Sequence, residues 1–329
     1  MVATVDCPAA DVVADTRTLS RDAWLHLRRE GLGGSDAATV LGLNPYAGPM
    51  DLYLDKLGLA DERDETEAMF WGNRLEPVVA DRFAELTPFG VHQLPQMLRS
   101  REHPFMLANV DRLLTDPAHP ERGPGILECK APGLRQSPYW SDEAAPDHYL
   151  IQVQHYLAVT GYQWAYLAAL IGGQRFFFTP IARDEAFITQ LVIAERAFWA
   201  RVTRRQPPPL DGSAASARLL KHLHPHADET TVTLGTDAIA LAEAWHRAHA
   251  EENAAEAAKD AAATQLQALM GDAAKAHAGP HTITWANRTR TGFDVKALER
   301  DHPDLVARYR TTTAFRSFRI RSPKEVPHG

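Results

Sequence analysis

The chain has 329 residues, of which 45% are hydrophobic and 23% are charged, and its formal net charge at pH 7 is −7. This composition is typical of a globular protein with a sizeable core, and the negative net charge argues against a protein that coats nucleic acid with its whole surface. No apolar run approaches the length of a membrane span, and the first residues lack the layout of a signal peptide. Cys7 and Cys129 are the only cysteines and lie far apart, so they do not indicate a disulfide framework. We therefore expect a cytoplasmic protein without a membrane anchor.

Helical patterns come first along the chain. We expect residues 1–17 to form a loose leader. The stretch "LSRDAWLHLRREGLGGSDAATVLGLN" predicts a helix, a glycine turn and a second helix with Ser35 or Asp36 as its N-cap. The stretch "EAMFWGNRLEPVVADRFAEL" predicts a third helix whose apolar residues share one face: Trp71, Leu75, Val78, Val79, Phe83 and Leu86.

The apolar period then changes to that of strands. Three candidate strands are "HQLPQMLRS", "FMLANVDRLLTD" and "GILECKA", and the last two are joined by a stretch rich in Pro and Gly. A helix in "DHYLIQVQHYLAVTG" follows, then a hairpin formed by "WAYLAALIGG" and "QRFFFTPI", then the amphipathic helix "RDEAFITQLVIAERAFWARV". This order predicts an α/β core in which helices flank a mixed central sheet, with a C-terminal α+β extension.

The stretch "RRQPPPLDGS" suggests a domain boundary. We expect a core domain at 18–210, a linker at 211–231 and an extension at 232–329. The extension is predicted to contain a long Ala-rich helix from Asp237 to about Leu269, a β-hairpin in "HTITWANRTRTGFD" and a closing strand in "FRSFRIR". From Asn287 onward there are 10 Lys and Arg residues against 5 acidic ones, so this tail is suited to contact phosphates locally.

The histidines of "KHLHPHA" are spaced in a way that resembles a metal site, but their surroundings argue against one. His222, His224 and His226 alternate along this stretch. A linker interrupted by proline supplies neither a fixed geometry nor a fourth ligand, so we expect no zinc there.

The strand "GILECKA" carries the clearest chemical signal. Side chains two residues apart on a strand share a face, so Glu128 and Lys130 stand together while Cys129 points to the opposite face. An exposed ion pair would explain this stretch taken alone. If the preceding strand pairs with it as a hairpin, however, Asp111 also converges on this edge of the sheet. Two carboxylates at such a position suit Mg²⁺ or Mn²⁺, and the carbonyl of Cys129 would lie within reach of the ion.

Several motifs in order point to a family. "VDRLL…ILECK" resembles the D-(x)n-(D/E)-x-K signature of the PD-(D/E)xK nuclease superfamily, with Val110 at the position where proline is usual. The order of "WLHLRREGLGGSDAATVLGLNPY", "FWGNRLEP", "NVDRLL", "LECKAP" and "QVQHYLAVTG" resembles that of the YqaJ-like viral recombinases, relatives of lambda exonuclease in the RecB-like branch. This resemblance covers residues 18 to about 205, and the tail also resembles that of phage members of the family.

The resemblance implies a set of site residues. Asp111, Glu128 and Glu76 would hold one or two metal ions together with the Cys129 carbonyl, and Lys130 would act on the attacking water. The remaining residues follow from matched motifs. Gln152 and Tyr156 match the "QxxxY" motif, and Gln154 matches a second glutamine of the lambda-like group. Arg28 and Ser35 match a 5′-phosphate pocket. A glycine-rich turn that opens a helix, with an arginine nearby, is physically suited to bind an anion.

The implied function is a metal-dependent exonuclease that digests linear double-stranded DNA from 5′ ends and leaves 3′ overhangs for phage-type recombination. A single-strand annealing protein as partner, and a homo-oligomer such as a trimer, are implied by the same resemblance. Three alternatives stay open at this stage. They are an endonuclease or nickase on the same fold, a non-catalytic protein that binds DNA ends, and a helical adaptor built on residues 230–329.

Overall fold

A computed structural model gives the structure of the protein and describes residues 7–60, 66–141, 144–312 and 316–321. The chain divides into two compact units, Met1–His222 and Leu223–Gly329. All predicted site residues lie in the first unit.

The elements up to the unit boundary are as follows. The helices are α1 (Arg21–Arg29), α2 (Gly34–Val40), α3 (Pro49–Lys56), α4 (Glu67–Leu86), α5 (Asp147–Thr160), α6 (Glu185–Arg204) and α7 (Ala214–Leu223). The strands are β1 (Ala10–Asp15), β2 (Gly90–Gln93), β3 (Gln96–Ser100), β4 (Leu107–Ala108), β5 (Arg112–Thr115), β6 (Gly125–Lys130), β7 (Trp164–Ile171) and β8 (Arg175–Ala182).

A mixed five-stranded sheet forms the centre of the first unit. Its strand order is β2-β5-β6-β7-β8; β6 and β7 run parallel, and the other neighbours are antiparallel. The alternating side chains of β6 enter two different cores, because Ile126 packs with residues of α5 and α6 whereas Leu127 and Cys129 pack with Phe83 of α4. Helices therefore cover both faces of the sheet, and the predicted fold class is confirmed.

The chain before α1 differs from the expected loose leader. Strand β1 pairs with β3 in a second sheet of order β1-β3-β4, and Cys7 and Ala10 are buried. Residues 1–6 of the predicted leader lie outside the described residues. Apolar burial of Cys7 and Ala10, rather than any strand periodicity, explains why this segment is ordered against the core.

Helix α4 has the predicted bounds but a narrower apolar face. Val79 and Phe83 are buried, whereas Trp71, Val78 and Leu86 are exposed. The helix continues through Pro77 without a break. The buried residues of α4 all lie in its second half, which packs on the sheet, whereas residues 67–76 include no buried residue and contribute to the lining of a cleft.

The C-terminal part also departs from the prediction in its details. Helix α7 lies inside the predicted linker 211–231, and its Ala215 and Leu219 are buried in a core shared with α3 and α6. The long helix is confirmed as α8 (Thr236–Met270). The hairpin is formed by β9 (Lys275–Ala278) and β10 (His281–Thr284), so its turn lies at Gly279 and precedes the predicted stretch.

The end of the chain contains two short helices, α9 (Val295–Asp301) and α10 (Pro303–Tyr309). The predicted closing strand is not formed by residues 316–321, which have no regular secondary structure, and Phe315 lies outside the described residues. Within the described ranges, none of the helices is sufficiently long and apolar to cross a membrane.

A buried ion pair ties three elements of the first unit together. The His155 ring on α5 lies 2.8 Å from Glu195 Oε1 on α6 through Nδ1, and 2.9 Å from the Leu107 carbonyl on β4 through Nε2. Both ring nitrogens face acceptors, so the doubly protonated ring satisfies both contacts. Burial alone would lower the pKa of His155, but the Glu195 carboxylate and the carbonyl outweigh it, and the pKa is raised.

This raised pKa predicts a loss of stability at alkaline pH. The folded chain holds the His155 proton more tightly than the unfolded chain, so its contribution is complete below about pH 6.5, the ordinary histidine pKa, and is lost as pH rises through the folded-state pKa. Urea unfolding at a series of pH values should therefore show that the free energy of unfolding declines as pH rises. The His155→Gln variant should lack this decline. The exposed His26→Gln serves as the control and should keep the wild-type profile; a His155→Gln profile parallel to wild type would contradict the assignment.

Candidate active site

The hairpin of β5 and β6 brings the first carboxylate to the site. Arg112 pairs with Leu127 in its register, and one further step places Asp111 opposite Glu128. The backbone N–H of Cys129 donates to Asp111 Oδ2 over 2.7 Å. The predicted hairpin is thus confirmed, and Asp111 is anchored to the neighbouring strand.

Glu128 and Lys130 lie side by side on β6, as their spacing requires. Lys130 Nζ lies 2.5 Å from Glu128 Oε1, and Glu128 is 1% exposed. The ion pair is therefore not a surface pair of little consequence. Its carboxylate is buried and its ammonium is partly exposed, and a protein tolerates a buried charge only where other contacts satisfy it.

Helix α5 supplies one of these contacts, from one face of the sheet. Gln152 Nε2 donates to Glu128 Oε1 over 2.6 Å and lies 3.1 Å from the Tyr156 hydroxyl. The Tyr156 ring packs directly on Gly34 of α2, where an added Cβ would lie 2.5 Å from the ring. Only glycine therefore fits at position 34. Because Tyr156 contacts both Gln152 and Gly34, it connects the carboxylate site to the glycine turn.

Burial and the close approach of Asp111, Glu128 and Lys130 shift the pKa of each of these groups. Burial, and then the neighbouring Glu128 charge, raise the pKa of Asp111 well above its ordinary value. Burial also raises the pKa of Glu128, although Lys130 opposes the shift. Burial would lower the pKa of Lys130, but the carboxylates of Glu128 and Asp111 raise it, so this lysine carries its charge.

Glu76 of α4 approaches from the other face of the sheet and is engaged by an arginine. Arg112 Nη1 lies 2.5 Å from Glu76 Oε1 and also donates to the Asp111 carbonyl over 2.6 Å. The structure therefore places Glu76 beside Asp111 as predicted, but in an ion pair. Arg112 was not singled out from the sequence, although its position directly after Asp111 on a strand implies that it faces the α4 side.

The glycine turn before α2 forms a second wall. Gly33, not Ser35 or Asp36, is the N-cap of α2, and Asp36 at the third helical position accepts a hydrogen bond from the Gly33 N–H over 2.9 Å. Arg28 Nη2 lies 3.2 Å from Ser35 Oγ, and its guanidinium lies over the Trp24 ring at 5.0 Å. The turn thus combines a helix N-terminus with an arginine, an arrangement suited to anions.

These groups line one cleft of about 460 Å³. Its walls include every predicted site residue except Gln154. The volume lies within the range of about 300–1,000 Å³ that is usual for small-ligand sites. The carboxylates with Lys130 and the arginine with its glycine turn therefore share one space of nucleotide size.

Gln154 does not belong to this cleft. Its amide donates to the Ala182 carbonyl over 2.8 Å and accepts from the Asp184 N–H over 3.0 Å, so it fixes the connection between β8 and α6. Positions two apart on a helix differ by about 200° in direction, and Gln152 already faces the cleft. The assignment of Gln154 to substrate binding is corrected to a structural role.

The donor set fits a hard divalent cation. Glu128 Oε2 is buried and has no hydrogen-bond partner, and the neighbouring Asp111 carboxylate repels it. Carboxylate oxygens and a backbone carbonyl are the ligands that Mg²⁺ and Mn²⁺ prefer, completed by water and substrate phosphate. Among the residues that the structure describes, no three acidic, histidine or cysteine side chains form a metal-binding cluster. Glu76 is instead paired with Arg112. Asp111, Glu128 and the Cys129 carbonyl are the residues that would hold the ion.

Comparison with known proteins identifies the family. The model of the YqaJ-like viral recombinase domain matches residues 23–163. The uncharacterized protein YqaJ of Bacillus subtilis (strain 168) is 35% identical over 318 residues, which cover 95% of this chain and 98% of that protein. The chain belongs to the YqaJ family. The family predicted from the ordered motifs is thereby confirmed.

Two solved structures are also similar to this YqaJ-family chain. The alkaline exonuclease LHK-Exo from Laribacter hongkongensis is 22% identical, with a TM-score of 0.45, over 56% of this chain and 94% of that one. A phage-related exonuclease from Haemophilus somnus 129PT is 15% identical, with a TM-score of 0.41, over 55% of this chain and 99% of that one.

The raised pKa of Asp111 predicts that this residue lowers stability in the absence of a cation. Its ionised form is disfavoured in the folded chain, so stability should fall as pH rises from about 3.9, the ordinary aspartate pKa, through the folded-state pKa. Asp111→Asn, measured by urea unfolding at pH 8 in EDTA, should raise the free energy of unfolding by about 0.5–2 kcal/mol.

Asp116 offers the matched control at the other end of β5. Its carboxylate accepts hydrogen bonds from Arg122 and the Ala118 N–H, and its pKa is lowered by these contacts despite desolvation. Asp116→Asn should therefore destabilise the protein. If Asp111→Asn destabilised it in the same way, the proposed repulsion between Asp111 and Glu128 would be excluded.

Proposed function

We propose that this chain is a metal-dependent deoxyribonuclease that digests linear double-stranded DNA from 5′ ends. The observation that carries the proposal is the shared cleft, which is lined both by the turn with Arg28 and Ser35 and by Asp111, Glu128 and Lys130. Membership of a viral recombinase family supports DNA as the substrate. Mg²⁺ or Mn²⁺, as one or two ions, would supply a Lewis acid and an activated water at the carboxylates.

Two groups of residues would act at the two ends of the terminal nucleotide, one on its 5′-phosphate and the other on the phosphodiester that follows it. Arg28, Ser35 and the amides of the glycine turn would bind the terminal 5′-phosphate, which places the next phosphodiester at Lys130. The Lys130 ammonium, fixed by Glu128, would orient the attacking water and stabilise charge that develops on the phosphate oxygens. Gln152 would hold Glu128 in its orientation through the 2.6 Å hydrogen bond.

This arrangement favours repeated cleavage from an end. Water attacks phosphorus, the bond to the 3′-oxygen breaks, and that oxygen takes a proton and leaves on the released nucleotide. The shortened strand then carries a new 5′-phosphate, which is the group that the Arg28 pocket binds. Each product is therefore the next substrate, and the complementary strand is left as a 3′ overhang for phage-type recombination. Cytoplasmic location, a homo-oligomer such as a trimer, a single-strand annealing partner and phosphate contacts by the basic tail stay predictions.

A time course on linear and closed circular duplex in Mg²⁺ tests the proposal. The wild type should degrade the linear form and leave the circle intact, and Lys130→Met should slow degradation by about 10²–10³-fold because a preorganised charge is lost. Lys221→Met, which neutralises an exposed lysine of α7, should retain the wild-type rate.

The other outcomes identify the alternatives. Cleavage of the circle would support the endonuclease or nickase. Binding of DNA ends without cleavage of either form would support a non-catalytic end-binding protein. Activity of Lys130→Met equal to wild type would remove Lys130 from the mechanism.

A further inference from the structure

Lys56 is a buried lysine at the C-terminal end of α3. Its side chain is 0% exposed, and its neighbours on α3 include the buried residues Leu52, Tyr53 and Leu54. Burying an ammonium is costly unless it is paired and hydrogen-bonded. The apolar packing of α3 would be served as well by a methionine, so the lysine requires an explanation in its contacts.

Both contacts of the Lys56 ammonium are with residues in or next to the proposed phosphate pocket, which is formed by Arg28, Ser35 and the glycine turn. Its Nζ donates to Asp36 Oδ2 over 2.7 Å and to the Arg28 carbonyl over 2.9 Å. The same Asp36 Oδ2 accepts the Gly33 N–H over 2.9 Å. Lys56 is therefore bonded to the backbone of Arg28 and, through Asp36, to the glycine turn.

Asp36 also competes for the guanidinium of Arg28. Its Oδ1 lies 3.3 Å from Arg28 Nη2, which is longer than the roughly 2.7–2.9 Å of a strong charge-assisted hydrogen bond. The charges of Lys56 and Arg28 lower the pKa of Asp36 against its desolvation, so this carboxylate is ionised. A buried, ionised Asp36 that lacked Lys56 would draw Arg28 into a close ion pair and withdraw its charge from an incoming anion.

We propose that Lys56 is a positioning residue of the terminal-phosphate pocket, acting as the counter-ion of Asp36 so that the charge of Arg28 stays available to a 5′-phosphate. This inference rests on the proposed function and adds a determinant of its end specificity. Lys56 touches neither the substrate nor the carboxylates Asp111 and Glu128. Its loss should therefore change the binding of a phosphorylated end and leave the cleavage step unchanged.

The test compares linear duplexes with 5′-phosphate and 5′-hydroxyl ends. Lys56→Met should lower the ratio of kcat/KM values for the two ends by about tenfold, the loss expected for one charge-assisted contact, through a raised KM for the phosphorylated end. The kcat on 5′-hydroxyl DNA should stay at the wild-type value. Arg218→Met is the control and should keep the wild-type ratio. It removes a 2.8 Å ion pair between Arg218 of α7 and Asp51 of α3, the helix that carries Lys56.

A double variant separates the counter-ion role from simple damage to the fold. Asp36→Asn combined with Lys56→Met leaves no unpaired buried charge and leaves Arg28 without a competing carboxylate, so it should recover most of the preference. An unchanged ratio in Lys56→Met would overturn the proposal, as would a folded double variant that lacks the preference. A wild type that digests neither DNA, or both equally, would instead contradict the proposed function.

Discussion

The repulsion between two neighbouring carboxylates, the buried Glu128 and the partly buried Asp111, is the constraint on which the rest of the site depends. Asp111 and Glu128 face each other across the β5–β6 hairpin, and the backbone amide of Cys129 fixes one of them while Gln152 and Lys130 hold the other. Such a pair is unfavourable in a folded protein unless a cation offsets it. Lys130 offsets part of the charge, and the unpartnered Glu128 Oε2 marks where compensation is incomplete. The fold accepts this cost at the point where the proposed chemistry needs concentrated negative charge.

The sheet explains how groups from distant parts of the chain meet. Strand β6 has helices on both faces, so α5 reaches Glu128 from one side while α4 brings Glu76 and Arg112 together on the other. The close contact between Gly34 and Tyr156 then joins the carboxylate site to the turn that precedes α2. The glycine turn and Arg28, the proposed phosphate pocket, have their own charge network, in which the buried Asp36 and Lys56 contact Arg28. Two separate charge networks thus meet at one cleft, which Asp111, Glu128 and Lys130 line for the proposed chemistry and Arg28 lines for the proposed end recognition.

The sequence predicted those features that depend on local periodicity. Strand parity placed Glu128 and Lys130 on one face and Cys129 on the other, and the hairpin brought Asp111 to them. Features set by distant packing were missed. Helix α3 and its Lys56 were not assigned, because a single lysine gives no functional signal until Asp36 is known to lie beside it. Gln154 was misplaced because the motif match was followed, although its two-residue spacing from Gln152 directs it to another side of the helix. Gly33 acts as N-cap because the Asp36 side chain bonds back to it, which reverses the expected roles.

Direct titration of Mn²⁺ into the DNA-free protein by calorimetry tests the central claim, that Asp111 and Glu128 together form a divalent-cation site. We expect saturable binding to the wild type, and Glu128→Gln should weaken it at least about tenfold because one of the two ionised ligands is lost. Glu121→Gln, which changes an exposed carboxylate in the loop between β5 and β6, should bind as the wild type does. Binding to Glu128→Gln that matched the wild type, or no binding to the wild type at all, would contradict the account.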